Sequence, residues 1–216
     1  MCANYHPVTA QDRLLIYFGV ERPKGEAPPE FTFPGYLAPF IVRASDRVEM
    51  ERQAELGLFG LLPHWAKDTA FGRRTYNARS ETVAEKPSFK DAWRKGHRCI
   101  IPAEAIFEPC WETGKAVRWR ISRRDGVPMG IAGLWGWWRD RATGREVLSF
   151  TMLTINADDH PLMKRFHKPG EEKRMVVILD EAEYSAWLDA PLERMPDFMR
   201  AYPADRLVAE PDPLRR

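Results

Sequence analysis

The sequence predicts a single mixed α+β domain with a largely antiparallel sheet and short flanking helices. Three observations lead there. Short strand-like stretches recur between turn residues from Phe40 to Leu179, whereas helical patterns stay brief. The chain has 216 residues with 44% hydrophobic content, which suits one substantial core. No internal repeat or linker divides it.

Taken in order, residues 9–19 read as a short helix, with Thr9 as a candidate cap and Gly19 as its end. Residues 21–39 hold Pro23, Pro28, Pro29, Pro34 and Pro39, so they form an extended connection. Residues 40–43 and 48–62 read as strands around a Ser45-Asp46 turn. Ser88 to Arg94 reads as a capped helix with Phe89 and Trp93 on one face. A strand starts at Cys99, and Val117-Arg118-Trp119-Arg120-Ile121 alternates like a half-buried strand with a solvated basic face. Residues 129–138 and 147–155 follow as strands. Met175 to Leu179 is a short apolar strand, and Asp180 caps a helix containing Tyr184 and Trp187. Residues 191–216 contain five prolines and read as an irregular tail.

The net charge of +2 does not by itself imply a nucleic-acid partner. No apolar run reaches the ~20 residues that span a bilayer, and no secretory leader is evident at the N-terminus. Three cysteines make no disulfide framework, so a cytoplasmic setting is expected. His97, Cys99 and Cys110 match no zinc-ligand spacing, so neither a metal nor another cofactor is expected. Nothing demands more than a monomer.

Cys2 carries the most specific chemistry. Removal of Met1 would expose an α-amine beside a thiol, with ordinary pKa values of about 7.7–8.0 and 8.5. Such a 1,2-aminothiol forms an imine with an aldehyde and then closes to a thiazolidine. The polar segment Tyr76-Asn77-Ala78-Arg79-Ser80-Glu81-Thr82 and the stretch from Phe59 to Trp65 mix aromatic and hydrogen-bonding groups suited to single-stranded nucleic acid. A structural loop with internal ion pairs is the simpler reading of that pattern alone. Glu108, at a strand end, is a candidate general acid or base, with Glu104 as competitor. His160 and His167 are candidate proton shuttles.

These segments, in order, resemble the SRAP (SOS response-associated peptidase) family, whose members process abasic sites. The resemblance rests on Met1-Cys2, residues 60–65 and 76–82, Phe89 to Trp93, Arg98 to Glu108, and Arg174 to Leu179. It implies that the sheet is barrel-like, that residues 1–190 form the family domain and that 191–216 are a tail. It implies that Cys2 crosslinks to the ring-opened aldehyde of an abasic site in single-stranded DNA, a lyase-type imine chemistry. Asn77 would hold Cys2 or the sugar, while Glu108 and His167 would move protons. Arg79, Arg174 and Trp65 would contact DNA. The family label also implies a peptidase that unmasks Cys2.

The chain departs from the family pattern in three places. Ala3-Asn4 replaces Gly-Arg, Pro109-Cys110 separates Glu108 from the next aromatic, Trp111, and Arg174 follows His167 by seven positions rather than two. A loop insertion that leaves His167 at the site is the simplest account of the last, with His160 as the alternative. Two rival functions are a non-covalent single-strand binding module and an N-terminal-nucleophile peptidase.

Overall fold

The computed structural model describes residues 2–26, 28–44 and 51–213. The antiparallel pattern read from the sequence closes on itself. Strands β1 (Asn4–Pro7), β2 (Leu37–Arg43), β3 (Arg52–Phe59), β4 (Asn77–Arg79), β5 (Arg98–Cys110), β6 (Val117–Arg123), β7 (Met129–Arg139), β8 (Glu146–Asn156), β9 (Arg174–Val176), β10 (Ile178–Leu179) and β11 (Leu207–Pro211) form one sheet. Along it, β7, β8, β3, β2 and β5 are successive neighbours, and β5 pairs back onto β7. This ring of five strands is the barrel. All its pairings are antiparallel except β3 with β8. Three short helices flank it: α1 (Gln11–Phe18), α2 (Lys90–Arg94) and α3 (Tyr184–Asp189).

The barrel forms because alternate residues of its strands are large and apolar. Phe40, Phe59 and Phe150 are fully buried, and Phe59 stacks on Phe150 at 5.5 Å between centroids while Tyr5 meets it edge-on at 5.2 Å. Each such ring stabilises the fold by about 1.5–3 kcal/mol through burial alone. Gly60 lets the chain leave β3 sharply, at φ +131°, passing so close to Gly72 that a Cβ would stand 2.0 Å from its carbonyl oxygen. The apolar run at 175–179 is divided between two partners. β9 pairs with β8, β10 pairs with β7, and Val177 between them donates to Leu153 and accepts from Ala132.

Several expectations are corrected. Neither Thr9 nor Ser88 caps a helix: the N-cap positions are Ala10 and Phe89, without side-chain bonds. The Ser45-Asp46 turn lies outside the described residues. The basic face of β6 is not simply solvated. The Arg118 guanidinium lies 3.7 Å from the Phe107 ring centroid and 4.4 Å from that of Phe31, and Arg120 donates to Ser122. Those arginines also explain why the segment expected to be irregular is not. Residues 192–198 and 204–206 form 3-10 turns that bury Met195, and β11 then adds antiparallel to β6. There Asp212 and Glu210 stand 3.4 and 3.7 Å from Arg118 and Arg120, so opposite charges face each other across strands. Pro191 and Pro203 stand at the starts of these turns, where a missing N–H costs nothing, whereas Pro196 lies inside the first turn and Pro211 ends β11.

No helix among the described residues is long and apolar enough to cross a membrane. Gly60→Ala should lower unfolding stability by more than about 2 kcal/mol, since it combines a disfavoured φ with a backbone clash. Urea unfolding would measure it, and an unchanged midpoint would contradict this account of the turn.

Candidate active site

The start of β1, the first residue of β4 and the end of β5 converge at one end of the barrel. Asn4 pairs with Phe107, which sets Cys2 beside the C-terminal half of β5. Cys2 is buried, its thiol donating to the Asn4 carbonyl at 3.5 Å. Asn77, held where β4 joins β8 opposite Met152, donates from Nδ2 to the Cys2 carbonyl at 2.7 Å. Glu108 is 2% exposed, and His167 Nε2 lies 3.1 Å from its Oε2. All four catalytic candidates therefore meet.

The loop before Arg174 positions His167 through its own set of contacts. Phe166 bridges to Cys110, and the His167 N–H donates to the Pro109 carbonyl at 2.9 Å. His167 has φ +66°, the only positive value for a non-glycine among the described residues, at a cost of roughly 1–2 kcal/mol. Lys173 Nζ donates to the carbonyls of His167 and Lys168 at 3.3 and 2.8 Å, holding the turn. Arg165 lies over Trp119 and makes two hydrogen bonds to Glu112. His160, the alternative, is elsewhere. Its Nε2 meets the Tyr202 carbonyl at 2.8 Å and its Nδ1 accepts from Leu162 and Met163, so it supports the loop. Glu104 is also excluded from the centre: the bulge between His6 and Pro7 skips it, and it pairs with Arg13.

The electrostatics separate the thiol from an activated thiolate. Burial pushes the Cys2 thiol far up, and the neighbouring Glu108 carboxylate pushes it further, against the pull of backbone hydrogen bonds at Asn4 and Phe107. Tyr76 is raised by burial and then by Cys2 and Glu108, which places its phenol at the edge of the site. Tyr76 had no assigned role of its own, because a tyrosine beside Asn77 carries no pattern that distinguishes it from a core residue. The same holds for Lys173, whose function depends on a turn the sequence does not announce.

The candidates for DNA contact divide. Arg79 is about half exposed, its Nη1 2.6 Å from Glu172. Trp65 is 42% exposed, edge-on to Phe71 at 5.0 Å, and no contact among the described residues joins it to the catalytic four. Arg174 departs from expectation. It is buried, with both terminal nitrogens donating to Glu81, Nη1 also to Glu172 and Nη2 also to the Thr154 carbonyl. Its guanidinium ties β9 to the 76–82 segment and presents no free face to a phosphate. Among the described residues no group of three His, Cys, Asp or Glu side chains forms a metal-ligand cluster.

Two outcomes test this geometry. Alkylation of Cys2 by iodoacetamide, followed by peptide mass mapping, should be at least tenfold slower in the folded chain than in urea between about pH 7 and 9, because the raised thiol stays protonated; equal rates would refute the buried thiol. Arg174→Ala should lower stability by about 2 kcal/mol, discounted for the half-exposed Glu81. A chemical melt unchanged by that substitution would return Arg174 to the surface.

Comparison with known proteins agrees along the whole chain. The sequence model of the family described as SOS response associated peptidase (SRAP) matches residues 1–211. The abasic site processing protein YoaM of Bacillus subtilis (strain 168) is 30% identical over 220 residues, covering 97% of this chain and 89% of that one. The abasic site processing protein HMCES of Gallus gallus is 26% identical over 203 residues, covering 79% and 55%. A crystal structure of a Bordetella bronchiseptica protein superposes with a TM-score of 0.91 at 45% identity, covering 99% of this chain and all of that one. A Bacteroides thetaiotaomicron protein shares the fold at a TM-score of 0.79 and 22% identity, covering 96% and 90%.

Proposed function

Because this chain belongs to the SRAP family, we propose that it is an abasic-site processing protein that crosslinks Cys2 to the lesion in single-stranded DNA. The observation that supports this most is the buried Glu108–His167 pair beside Cys2. A proton-transfer couple next to a potential aminothiol suits a reaction in which each step moves a proton.

With Met1 removed, the Cys2 amine attacks the aldehyde carbon of the ring-opened sugar. The carbinolamine loses water to give an imine. Cys2 Sγ then bonds to the imine carbon and its proton passes to the nitrogen, closing a thiazolidine. The protonated thiol fits this order: it does not compete with the amine for the aldehyde, and it carries the proton that closure requires. Glu108 and His167 assist loss of water and proton return. Asn77 holds the Cys2 carbonyl, fixing the backbone from which both nucleophiles project. An unclosed imine acidifies the adjacent C–H and leads to β-elimination, so ring closure protects the strand. Arg79 supplies a phosphate contact once a phosphate displaces Glu172.

The test is incubation with a single-stranded oligonucleotide carrying an abasic site, read by denaturing gel and intact mass. The expected product is an adduct that lacks Met1 and needs no borohydride. Cys2→Ala should abolish it. Glu108→Gln and His167→Ala should slow it by roughly 10²-fold or more with little change in DNA affinity. An identical adduct from Cys2→Ala would overturn the mechanism. DNA association with no adduct would favour the non-covalent module, and peptide turnover independent of abasic DNA would favour the peptidase.

A further inference from the structure

The catalytic cluster accounts for the lesion but leaves a nearby groove unassigned. The groove has a volume of about 480 Å³. Its floor is Leu61-Leu62-Pro63, one wall is α2 with Lys95, and the other is the β7–β8 hairpin with Trp137 and Arg141. The floor is rigid: Leu61 donates to the Thr75 carbonyl and Leu62 to Ser149 Oγ at 2.9 Å.

The chemistry of the lining is specific. Trp137 is 56% exposed, unusual for so large an apolar surface in mid-strand. The two acids of the groove are already engaged. Asp91 stands 3.3 Å from His64, and Asp140 accepts from the Ala142 and Thr143 N–H groups of its own turn. Lys95 and Arg141 are exposed and make no ion pair among the described residues, and with Arg139 they outnumber the two acids of the lining. An open indole flanked by free cations is the arrangement that stacks a base and neutralises phosphates.

Position relates this groove to the catalytic cluster. Asn77 lies opposite Met152 on β8, and Trp137 opposite Leu148. Met152 and Leu148 are four residues apart, about 13 Å at 3.3 Å per residue, and Asn77 and Trp137 lie on opposite edges of β8, which brings their separation to about 16 Å. That is a span of a few nucleotides. We propose that this groove binds the single strand flanking the lesion, with a base stacked on Trp137 and backbone phosphates against Lys95 and Arg141. This rests on the proposed function and adds to it a second, non-covalent subsite that gives affinity for a tract rather than for the lesion alone.

The test uses strands that carry a tetrahydrofuran abasic analogue, which has no aldehyde and cannot crosslink. Strands of about 5 and about 15 nucleotides, the latter extended on either side of the analogue, bracket the site size of one such groove. By fluorescence anisotropy, Trp137→Ala and the double variant Lys95→Glu, Arg141→Glu should bind one of the two long strands about tenfold more weakly than the unmodified chain. The double variant should also show a shallower dependence on salt. Binding of the short strand should not change. Unchanged affinity for both long strands, or the same loss on the short one, would overturn the proposal. A separate control, crosslinking of a short aldehyde-bearing strand by the unmodified chain, tests the proposed function alone. Its failure would leave the anisotropy result interpretable.

Discussion

The structure depends on one strand being shared. β5 is 13 residues long and pairs with β7 and β2 through its first half and with β6 through its second, while β1 lies along its other edge. The first half closes the barrel. The second half supplies the frame of the candidate active site: Phe107 sets the register of β1, Glu108 projects inward, Pro109 accepts from His167, and Cys110 bridges to Phe166. Fold stability and catalytic geometry are thus two ends of the same hydrogen-bonded segment. A change of one residue in its register would send Glu108 to the opposite face and unseat Cys2 with it.

Burial gives the candidate active site its character. A carboxylate removed from water is costly unless neighbouring groups compensate, and here an imidazole stands at ion-pair distance. The same desolvation holds the thiol protonated. By contrast, the Arg174 cluster uses buried charge for architecture. Its contacts to Glu81 and to the Thr154 carbonyl lock β9, β8 and the polar 76–82 segment together, so that Asn77 is held from behind. Arg79, opposite Thr154 of β8, and Arg174, opposite Asn156 of the same strand, do different work because one is exposed and the other is not.

Much of this was legible in the sequence, and the failures have physical causes. The strands of the barrel show themselves through alternating apolar residues, and the four catalytic candidates lie in segments whose polarity has no local use. The closing β5–β7 pairing is not legible, because antiparallel alternation looks the same in an open sheet. Residues 191–213 misled because proline density suggests irregularity. What orders them is a cross-strand match between Glu210 and Asp212 and the arginines of β6, some ninety residues away. The burial of Arg174 was not legible for a related reason: an arginine beside an apolar strand reads as a surface cation until its carboxylate partners are found. Conversely, the sequence left His160 open beside His167, because the contacts that set His167 against Glu108 and turn His160 toward Tyr202 join residues far apart in the chain.

The anchoring of Cys2 also imposes a chronology. Asn77, Glu108 and Phe107 are synthesised long after the second residue, and only their arrival encloses it. While ribosomes are still extending the chain, the amino end is accessible to any processing enzyme. After β5 is in place it is not, because a residue 2% exposed offers no purchase to an external protease. Under the proposed function, unmasking of the aminothiol is therefore either an event of translation or an act of the finished site upon itself. Without that self-action, a molecule that folds too early would be sealed in an inactive form for life.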